Sequence, residues 1–320
     1  MSQHSFDIAN GGIWAAIHTP FLDDGALDID GLKRNVRHYI DHLGLKGVFY
    51  NGLMGEYWSL TLEERKKITQ AIAGESGGRL GLAPNCTHHS IAETIALAEH
   101  AIGSGCQYVV LMNPPTGPRT PDTLLSYFMT VCSSVSADII IFDTPASGYT
   151  LGPELIGRLV EMPNVKGVKA AGPTETHNAL RSKCAGKAVL SDPIEENWLE
   201  NLTTHRQTLL FADPEPYLYQ TARYRPIEDY YSAFLRGDDA DFRNKFQALS
   251  PLRRVYTRWI IGELRNGRPP NAALKVWAGL NGMAAGPVRM PVTRFSAATT
   301  SELLGEIHEA LRATSALNGT

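Results

Sequence analysis

Short apolar runs alternate with amphipathic stretches along the first two thirds of the chain, and this alternation restricts the fold more than any other feature. Eight runs have the length of β-strands, at 13–17, 47–51, 80–83, 108–112, 139–142, 165–169, 188–190 and 209–211. Helical patterns lie between them, for example at 29–42, 62–72, 91–102 and 123–135, with Asp28 and Thr61 placed as N-caps. Strands that alternate with helices form a parallel sheet, and closing eight such units leaves no free edge. The sequence therefore predicts an α/β protein with a (β/α)8 TIM barrel, whose seventh unit is the weakest.

The last third of the chain differs, because strand-like runs stop after residue 211. Helical patterns occupy 227–235, 239–262, 272–280 and 300–314. A barrel of this class needs about 250 residues, so 320 residues suit one barrel with an appendage. We expect a catalytic barrel domain over residues 1–225 and a C-terminal helical segment over residues 226–320 that packs on it.

Composition favours a protein that acts on small molecules. The chain is 43% hydrophobic and 20% charged, its formal charge is -3, and its pI is near 6.4. Because there is no dense run of Lys or Arg, neither nucleic acid nor a membrane surface is an expected partner. The four cysteines form no Cys-x-x-Cys pair, which argues against a zinc site. No stretch has the roughly 18 uninterrupted apolar residues of a membrane span, and residues 1–12 lack the core of a secretory signal, so we expect a cytoplasmic protein.

In a (β/α)8 barrel the chemistry lies at the carboxyl ends of the strands, where the loops converge. Polar residues follow most of the predicted strands here, and the substrate-binding candidates among them are Thr19, Glu56, Asn85, Asn113, Asp192 and Asp213. Asn and Asp after a strand are also ordinary turn formers and helix caps, so each of them has a structural alternative. Together they predict a small-molecule site at this end of the barrel.

Lys169 ends the sixth predicted strand and is the main catalytic candidate. A lysine at the mouth of a buried strand costs free energy unless it has a partner or a function. Strand alternation puts Gly167 and Lys169 on one face, where the glycine leaves room for a ligand or for the lysine stem. When burial favours its neutral form, such an amine attacks a carbonyl carbon and forms a Schiff base. The alternative is a lysine that snorkels to solvent or forms a salt bridge.

This chemistry sets a condition on the neighbouring carboxylates. Glu56, Asp143, Asp192 and Asp213 would stabilise the ammonium form of Lys169 if they all faced it. Most of them must therefore point away or be paired elsewhere. An amine locked in a tight ion pair would not be free to condense with a carbonyl group.

Several segments carry motifs of a known family. The first strand closes with Thr19-Pro20-Phe21, residues 52–56 are Gly-Leu-Met-Gly-Glu, and residues 139–145 are Ile-Ile-Ile-Phe-Asp-Thr-Pro. Residues 165–169 are Val-Lys-Gly-Val-Lys, and the tail contains Ala-Ala-Leu-Lys at 272–275 and Gly-Pro-Val-Arg-Met-Pro at 286–291. Together they resemble the N-acetylneuraminate lyase and dihydrodipicolinate synthase superfamily of class I aldolases and related lyases. The resemblance implies a TIM barrel, a Schiff-base lysine at Lys169, no metal or organic cofactor, and a homo-oligomer that is a dimer or a tetramer.

Three departures from the family pattern bear on the chemistry. Leu53 and Met54 stand where the family has two hydroxyl residues that bind the carboxylate of a 2-keto acid, so only backbone donors remain there. Phe142 stands at the position of the family's catalytic tyrosine, and its ring cannot relay protons. Asp143 replaces the asparagine that follows that tyrosine. We therefore expect a divergent member that is not a true dihydrodipicolinate synthase.

The proton transfers of the missing tyrosine must come from elsewhere. The candidates are Tyr57, Asp143, Glu56, a water held by Asn85 or Asn113, or a hydroxyl group of the substrate. Tyr57 and Trp58 directly follow the Gly-Glu pair, as aromatic residues do in sugar-acid dehydratases of the superfamily. They either stack on the substrate or pack under the loop or at a subunit contact.

The expected activity is that of a Schiff-base-forming lyase that cleaves or forms a C–C bond in a carbonyl or 2-keto acid substrate. The apolar Leu53, Met54 and Phe142 suggest a substrate with an aromatic or alkyl portion. A sugar-acid dehydratase that uses the same lysine is one alternative. A catalytically silent barrel that binds a small molecule is the other.

Overall fold

Eight parallel β-strands form the first part of the computed structural model, which describes residues 6–114, 117 and 119–317. The strands are β1 Gly12–Ala16, β2 Gly47–Tyr50, β3 Gly81–Pro84, β4 Tyr108–Met112, β5 Asp138–Asp143, β6 Val165–Ala170, β7 Val189–Ser191 and β8 Leu209–Phe211. All of the predicted strands are present, and none of their bounds differs from the prediction by more than one residue. Residues 1–5, which belong to the stretch considered for a secretory signal, lie outside the described residues.

Helices follow the strands in turn. They are α1 Ile29–Asp41, α2 Leu62–Ser76, α3 Ile91–Gly103, α4 Pro121–Ser134, α5 Pro153–Leu159, α6 Thr174–Cys184, α7 Trp198–Thr203 and α8 Glu215–Leu218. Asp28 caps α1 as predicted, with Oδ1 accepting a hydrogen bond from the Gly31 amide at 2.7 Å. Thr61 caps α2 and forms a reciprocal capping box with Glu64.

The strands pair in two runs of four, in the orders β3-β2-β1-β8 and β4-β5-β6-β7. A parallel β-bridge between Asn85 and Val110 links the end of β3 to β4. Between β7 and β8, the Ser191 hydroxyl donates to the Leu209 carbonyl at 3.0 Å and accepts from the Phe211 amide at 3.2 Å. A side chain completes this seam because β7 has only three residues. The fold is a TIM barrel, and its seventh unit, with a six-residue helix, is short as predicted.

Two glycines and one isoleucine determine how the barrel interior is filled. A Cβ atom on Gly47 or on Gly81 would lie 2.3 Å from the Trp14 ring, so the indole occupies the space of two side chains. On β6, a Cβ atom on Gly167 would lie 2.9 Å from Ile8 Cδ1. The expectation that Gly167 leaves room for a ligand or for the lysine stem is therefore wrong. Ile8, in the turn before β1, takes up that space.

Further helices follow the barrel: α9 Pro226–Leu235, α10 Asp239–Ala248, α11 Ser250–Tyr256, α12 Gly262–Arg265, α13 Asn271–Leu280 and α14 Ala297–Leu317. The predicted helix over 239–262 is present but not continuous, because the chain breaks at Leu249 and forms a π-helical turn over Thr257–Ile261. Pro251 accounts for the first break, since proline lacks the N–H that a continuing helix requires. The domain boundary at residue 225 stays a prediction. None of the helices in the described ranges is long and apolar enough to cross a bilayer.

Candidate active site

Lys169 lies at the end of β6, with its side chain inside the barrel and fully buried. Its Nζ atom lies 5.2 Å from the ring centre of Phe49 on β2, 4.5 Å from that of Phe142 on β5 and 4.9 Å from that of Phe211 on β8. All of these distances are within the roughly 6 Å range of cation–π attraction. We call Phe49, Phe142 and Phe211 the phenylalanine box. It surrounds the amine with apolar surface from three strands.

Two oxygen atoms that follow β8 bind the amine. Nζ of Lys169 donates to Asp213 Oδ1 at 2.8 Å and to the Ala212 carbonyl at 3.0 Å. The Asp213 side chain is 21% exposed, whereas that of Lys169 is 1% exposed. A carboxylate at this distance stabilises the ammonium form. The expectation of an unpaired amine is therefore wrong for this structure, because β6 and β8 lie on either side of β7 and their carboxyl ends open into the same mouth of the barrel.

The other carboxylates meet the condition set by the chemistry, since each has partners of its own. Asp143, at the end of β5, accepts hydrogen bonds from the Asn113 side chain at 3.2 Å and the Leu151 amide at 2.9 Å. The Asn113 amide group also donates to the Tyr149 carbonyl at 2.7 Å. Burial raises the pKa of Asp143, although these hydrogen bonds oppose the shift. Asp143 and Asn113 thus bind each other and the loop after β5.

Asp192 is similarly engaged at the end of β7. Its Oδ2 atom accepts hydrogen bonds from the side chains of Asn197 at 2.9 Å and Asn201 at 3.2 Å. His177 on α6 lies alongside, with Nε2 at 3.9 Å from the same oxygen. Burial lowers the pKa of His177, which favours a neutral imidazole. Asp192 therefore orders the loop after β7.

Glu56 is fully buried and faces the C-terminal helices. Its Oε1 atom lies 2.6 Å from Nζ of Lys275 on α13, and its Oε2 atom accepts from the Arg289 amide at 2.9 Å. Lys275 also donates to the Pro287 carbonyl at 2.7 Å. Burial lowers the pKa of Lys275 to about 8, although Glu56 opposes this shift. These contacts hold Glu56 against the C-terminal helices, and its role in ordering the loop stays a prediction.

The loop over residues 52–56 is held from both sides through its carbonyl groups. Asn271 on α13 donates to the carbonyls of Leu53 at 3.3 Å and Met54 at 2.9 Å. Thr19 donates its hydroxyl to the Gly55 carbonyl at 2.8 Å. The amides of Leu53 and Met54 donate to no acceptor within the described part of the chain. Thr19 thus supports the loop, and the amides of Leu53 and Met54 are among the donors that this loop can offer to an anion.

Asn85 and Tyr57 occupy the loops after β3 and β2. Asn85 is buried and donates from its side chain to the Asn51 carbonyl at 2.9 Å, so it ties these two loops together. Tyr57 is partly exposed, and its ring meets the edge of Trp58 with centres 5.7 Å apart. Burial raises the pKa of Tyr57, with Arg65 opposing the shift, so the protonated phenol is favoured. No hydrogen bond between either residue and Lys169 occurs among the described residues.

Sequence reasoning missed several residues of this site. Phe49 and Phe211 belong to predicted strands, but only the pairing of the strands shows that they face Lys169. Asn271 and Lys275 lie in or beside the tail motif, which indicated the family without indicating a contact with the loop at 52–56. Among the residues that the structure describes, no group of three His, Cys, Asp or Glu side chains could hold a metal ion.

Comparison with known proteins places this barrel among the lyases. The model of the dihydrodipicolinate synthetase family matches residues 9–202, and the chain belongs to that family. A 4-hydroxy-tetrahydrodipicolinate synthase from Methanothrix thermoacetophila is 29% identical over 289 residues, which are 89% of this chain and 92% of the relative. The predicted resemblance is thereby confirmed.

Solved structures agree on the fold. N-acetylneuraminate lyase from Proteus mirabilis is 24% identical with a TM-score of 0.79, and the match covers 94% of this chain and 98% of that chain. A catalytic lysine mutant of sialic acid aldolase from Ruminococcus gnavus is 17% identical with a TM-score of 0.81, covering 100% of this chain and 99% of that chain. The predicted TIM barrel with C-terminal helices is confirmed.

Proposed function

We propose that the protein is a Schiff-base-forming lyase of the class I aldolase type, in which Lys169 condenses with the carbonyl group of the substrate. The observation that carries this proposal is the burial of the Lys169 amine within the phenylalanine box, at the carboxyl end of β6. Burial of a lysine amine costs free energy unless the amine has a partner or a function. The sialic acid aldolase of Ruminococcus gnavus also has a catalytic lysine, which supports the assignment.

The reaction follows from the chemistry of an amine in apolar surroundings. Once Lys169 has lost a proton, its nitrogen adds to the carbonyl carbon, and loss of water leaves a protonated imine. The positive nitrogen then withdraws electrons from the neighbouring C–C bond, which breaks in the cleavage direction or forms in the reverse. The phenylalanine box offers no hydrogen-bond acceptor to the amine, so the nitrogen is available to a carbonyl carbon once the contact with Asp213 opens.

We infer that the substrate is a ketone or aldehyde with an aromatic or alkyl portion. Leu53 and Met54 present no side-chain donors to a carboxylate, and the acidic side chain of Asp213 lies beside the amine, where a carboxylate would have to bind. These features argue against a 4-hydroxy-tetrahydrodipicolinate synthase. The backbone amides of Leu53 and Met54 can still bind a carboxylate group. Pyruvate, a 2-keto acid, is therefore the comparison compound in any substrate screen.

A silent barrel is the second candidate, and the contact between Lys169 and Asp213 is the observation in its favour. An amine that keeps both of its oxygen partners cannot attack a carbonyl carbon. Under this alternative the protein binds a small carbonyl compound reversibly.

Borohydride trapping separates the two candidates. Wild-type protein is incubated with benzaldehyde, acetone or pyruvate, reduced, and digested for mass analysis of the Lys169 peptide. We expect a stable adduct on Lys169, with more adduct from the neutral compounds than from pyruvate. Lys169→Met should abolish it, whereas Lys166→Met, an exposed position on the same strand, should leave it unchanged. If none of the compounds gives an adduct on Lys169 while binding persists, the silent barrel is correct. Analysis of the products of turnover then separates C–C cleavage from loss of water.

We also propose that the protein is a homo-oligomer, either a dimer or a tetramer, on the strength of its family. Light scattering of the purified protein tests this directly. A mass of one chain at micromolar concentration would contradict it.

A further inference from the structure

Asp213 has a position that no other acidic residue of the site shares, since it bonds to the amine and also reaches solvent. Its Oδ1 atom is 2.8 Å from Lys169 Nζ, within the distance over which a proton passes between two groups. Its side chain is 21% exposed, so it can exchange protons with water. Lys169 itself, at 1% exposed, has no such route.

We propose that Asp213 is the catalytic acid and base of this site and performs the proton transfers for which Phe142 has no group. The proposal rests on the proposed function of Lys169. Phe142 approaches the amine with its ring alone, at 4.5 Å. Glu56 and Asp143, which the sequence offered as candidates, are engaged by Lys275 and by Asn113.

The surroundings of Asp213 keep its carboxyl group ready for both roles. Glu215, two residues along the chain, is buried, and burial together with the charge of Asp213 raises its pKa well above the usual value. The raised pKa favours the neutral form of Glu215. The titratable groups that interact with Asp213 are Lys169, Glu215, Tyr217 and Tyr256. Lys169 is the cation among them.

The condensation balances with Asp213 as the only proton carrier. The ammonium of Lys169 gives one proton to the Asp213 carboxylate, which leaves a neutral amine and a carboxylic acid. The amine lone pair attacks the carbonyl carbon and the C–O π pair moves to oxygen. The Asp213 acid protonates that oxygen, and the resulting carboxylate takes a proton from the nitrogen, which gives a carbinolamine and the Asp213 acid again. Asp213 then protonates the hydroxyl, the C–O bond breaks, water leaves, and the nitrogen lone pair forms the C=N bond. The products are a protonated imine, water and the original carboxylate.

This assignment changes the effect that the Asp213 carboxylate is expected to have on the rate of imine formation. A carboxylate that only stabilised the ammonium would oppose imine formation, and its removal would speed the reaction. A carboxylate that carries the proton is required, and its removal slows the reaction. The sign of the rate change, together with rescue of a slow variant by an added carboxylic acid, therefore decides between the two roles.

The experiment measures the rate of imine formation with benzaldehyde, by quenching into borohydride at intervals, for wild type, Asp213→Asn and Asp213→Glu. We expect Asp213→Asn to be slower by about 10²- to 10⁴-fold, which is the usual contribution of a positioned acid or base. Added formate should restore part of that rate, in proportion to its concentration. Asp213→Glu keeps a carboxyl group, so it should retain more activity than Asn and respond little to formate. The pH profile of the Asn variant should lose the limb that depends on the acid.

Three outcomes are distinguishable. An Asp213→Asn protein that is folded by near-UV circular dichroism and forms the imine at the wild-type rate or faster overturns the role of Asp213 and leaves the proposed function intact. A slow variant that formate does not rescue also overturns it, since loss of positioning then explains the defect. If wild type forms no imine with benzaldehyde or pyruvate, the proposed function and the role of Asp213 fail together.

Discussion

The buried pair of Glu56 and Lys275 provides a quantitative test of how the C-terminal helices hold the loop at 52–56. Lys275→Met keeps most of the side-chain volume but removes the charge that lies 2.6 Å from Glu56. Both side chains are at most 2% exposed, so the remaining carboxylate would be buried with the Arg289 amide as its donor. Breaking a buried pair in this way costs about 3–5 kcal/mol. For a protein of this size that loss lowers Tm by roughly 10 °C.

Urea unfolding at pH 7 measures this cost, and a double-mutant cycle with Glu56→Gln isolates the pair. We expect the double variant to lose clearly less than the sum of the two single variants, because each single change leaves an uncompensated group. The matched control is Lys66→Met, which breaks the exposed pair with Glu63 and should change stability little. Additive losses, or a loss for Lys275→Met below about 1 kcal/mol, would refute the reasoning.

The contribution of Lys275 to the free energy of unfolding depends on pH, and the lowered pKa of Lys275 sets the sign of this dependence. The pKa of Lys275 is lowered to about 8 in the folded protein, whereas an unfolded lysine has its usual value near 10.5. A depressed pKa contributes stability that is present above the unfolded value and is lost as the pH falls through the folded value. Wild type should therefore gain stability relative to Lys275→Met as the pH rises from about 8 to about 10. A difference between the two proteins that is constant over this range would contradict the assignment.

Two further predictions concern the loop and the turn after β8. Asn271→Ala removes both side-chain hydrogen bonds to the carbonyls of Leu53 and Met54, so we expect a loss of about 1–3 kcal/mol and faster amide exchange in residues 52–56 but not in β6. Unchanged exchange in the loop would argue against this anchoring. Glu215→Gln tests the raised pKa of Glu215. An acid whose pKa is raised in the folded protein contributes stability at a pH below its unfolded pKa, near 4.5, and this stability is lost as the pH rises through the folded pKa. The Tm of the variant should therefore rise relative to that of wild type from pH 5 upward. Parallel Tm curves for the two proteins would show that Glu215 is not buried in its neutral form.

Local patterns were sufficient for the barrel. The period of apolar residues depends only on neighbours along the chain, so the bounds of β1 to β8 and the caps at Asp28 and Thr61 could be predicted closely. The helical pattern over 239–262 was also predictable, and the break at Leu249 has a local signal in Pro251 that the prediction overlooked. Gly167 was misjudged for a different reason. The side chain that fills its space, Ile8, comes from a turn far away in the sequence.

The positions of the site residues in the strands could be predicted from the sequence, but the contacts between them could not. Lys169 and Phe142 could be placed at their strand ends, and the motifs carried the family. That Asp143 binds Asn113 and that Glu56 binds Lys275 depends on which loops meet, and nothing in the local sequence specifies that.

The sequence by itself determined that this chain forms a (β/α)8 barrel with a lysine at the end of its sixth strand, because strand and helix periods and the position of a residue in a strand are local properties. Tertiary structure decided what that lysine meets. Asp213 lies 44 residues further along the chain, and it reaches the amine because β6 and β8 lie on either side of β7, so that their carboxyl ends open into the same mouth of the barrel. The phenylalanine box likewise joins β2, β5 and β8. The distance between two strand ends is set by barrel closure and register, which are properties of the whole sheet.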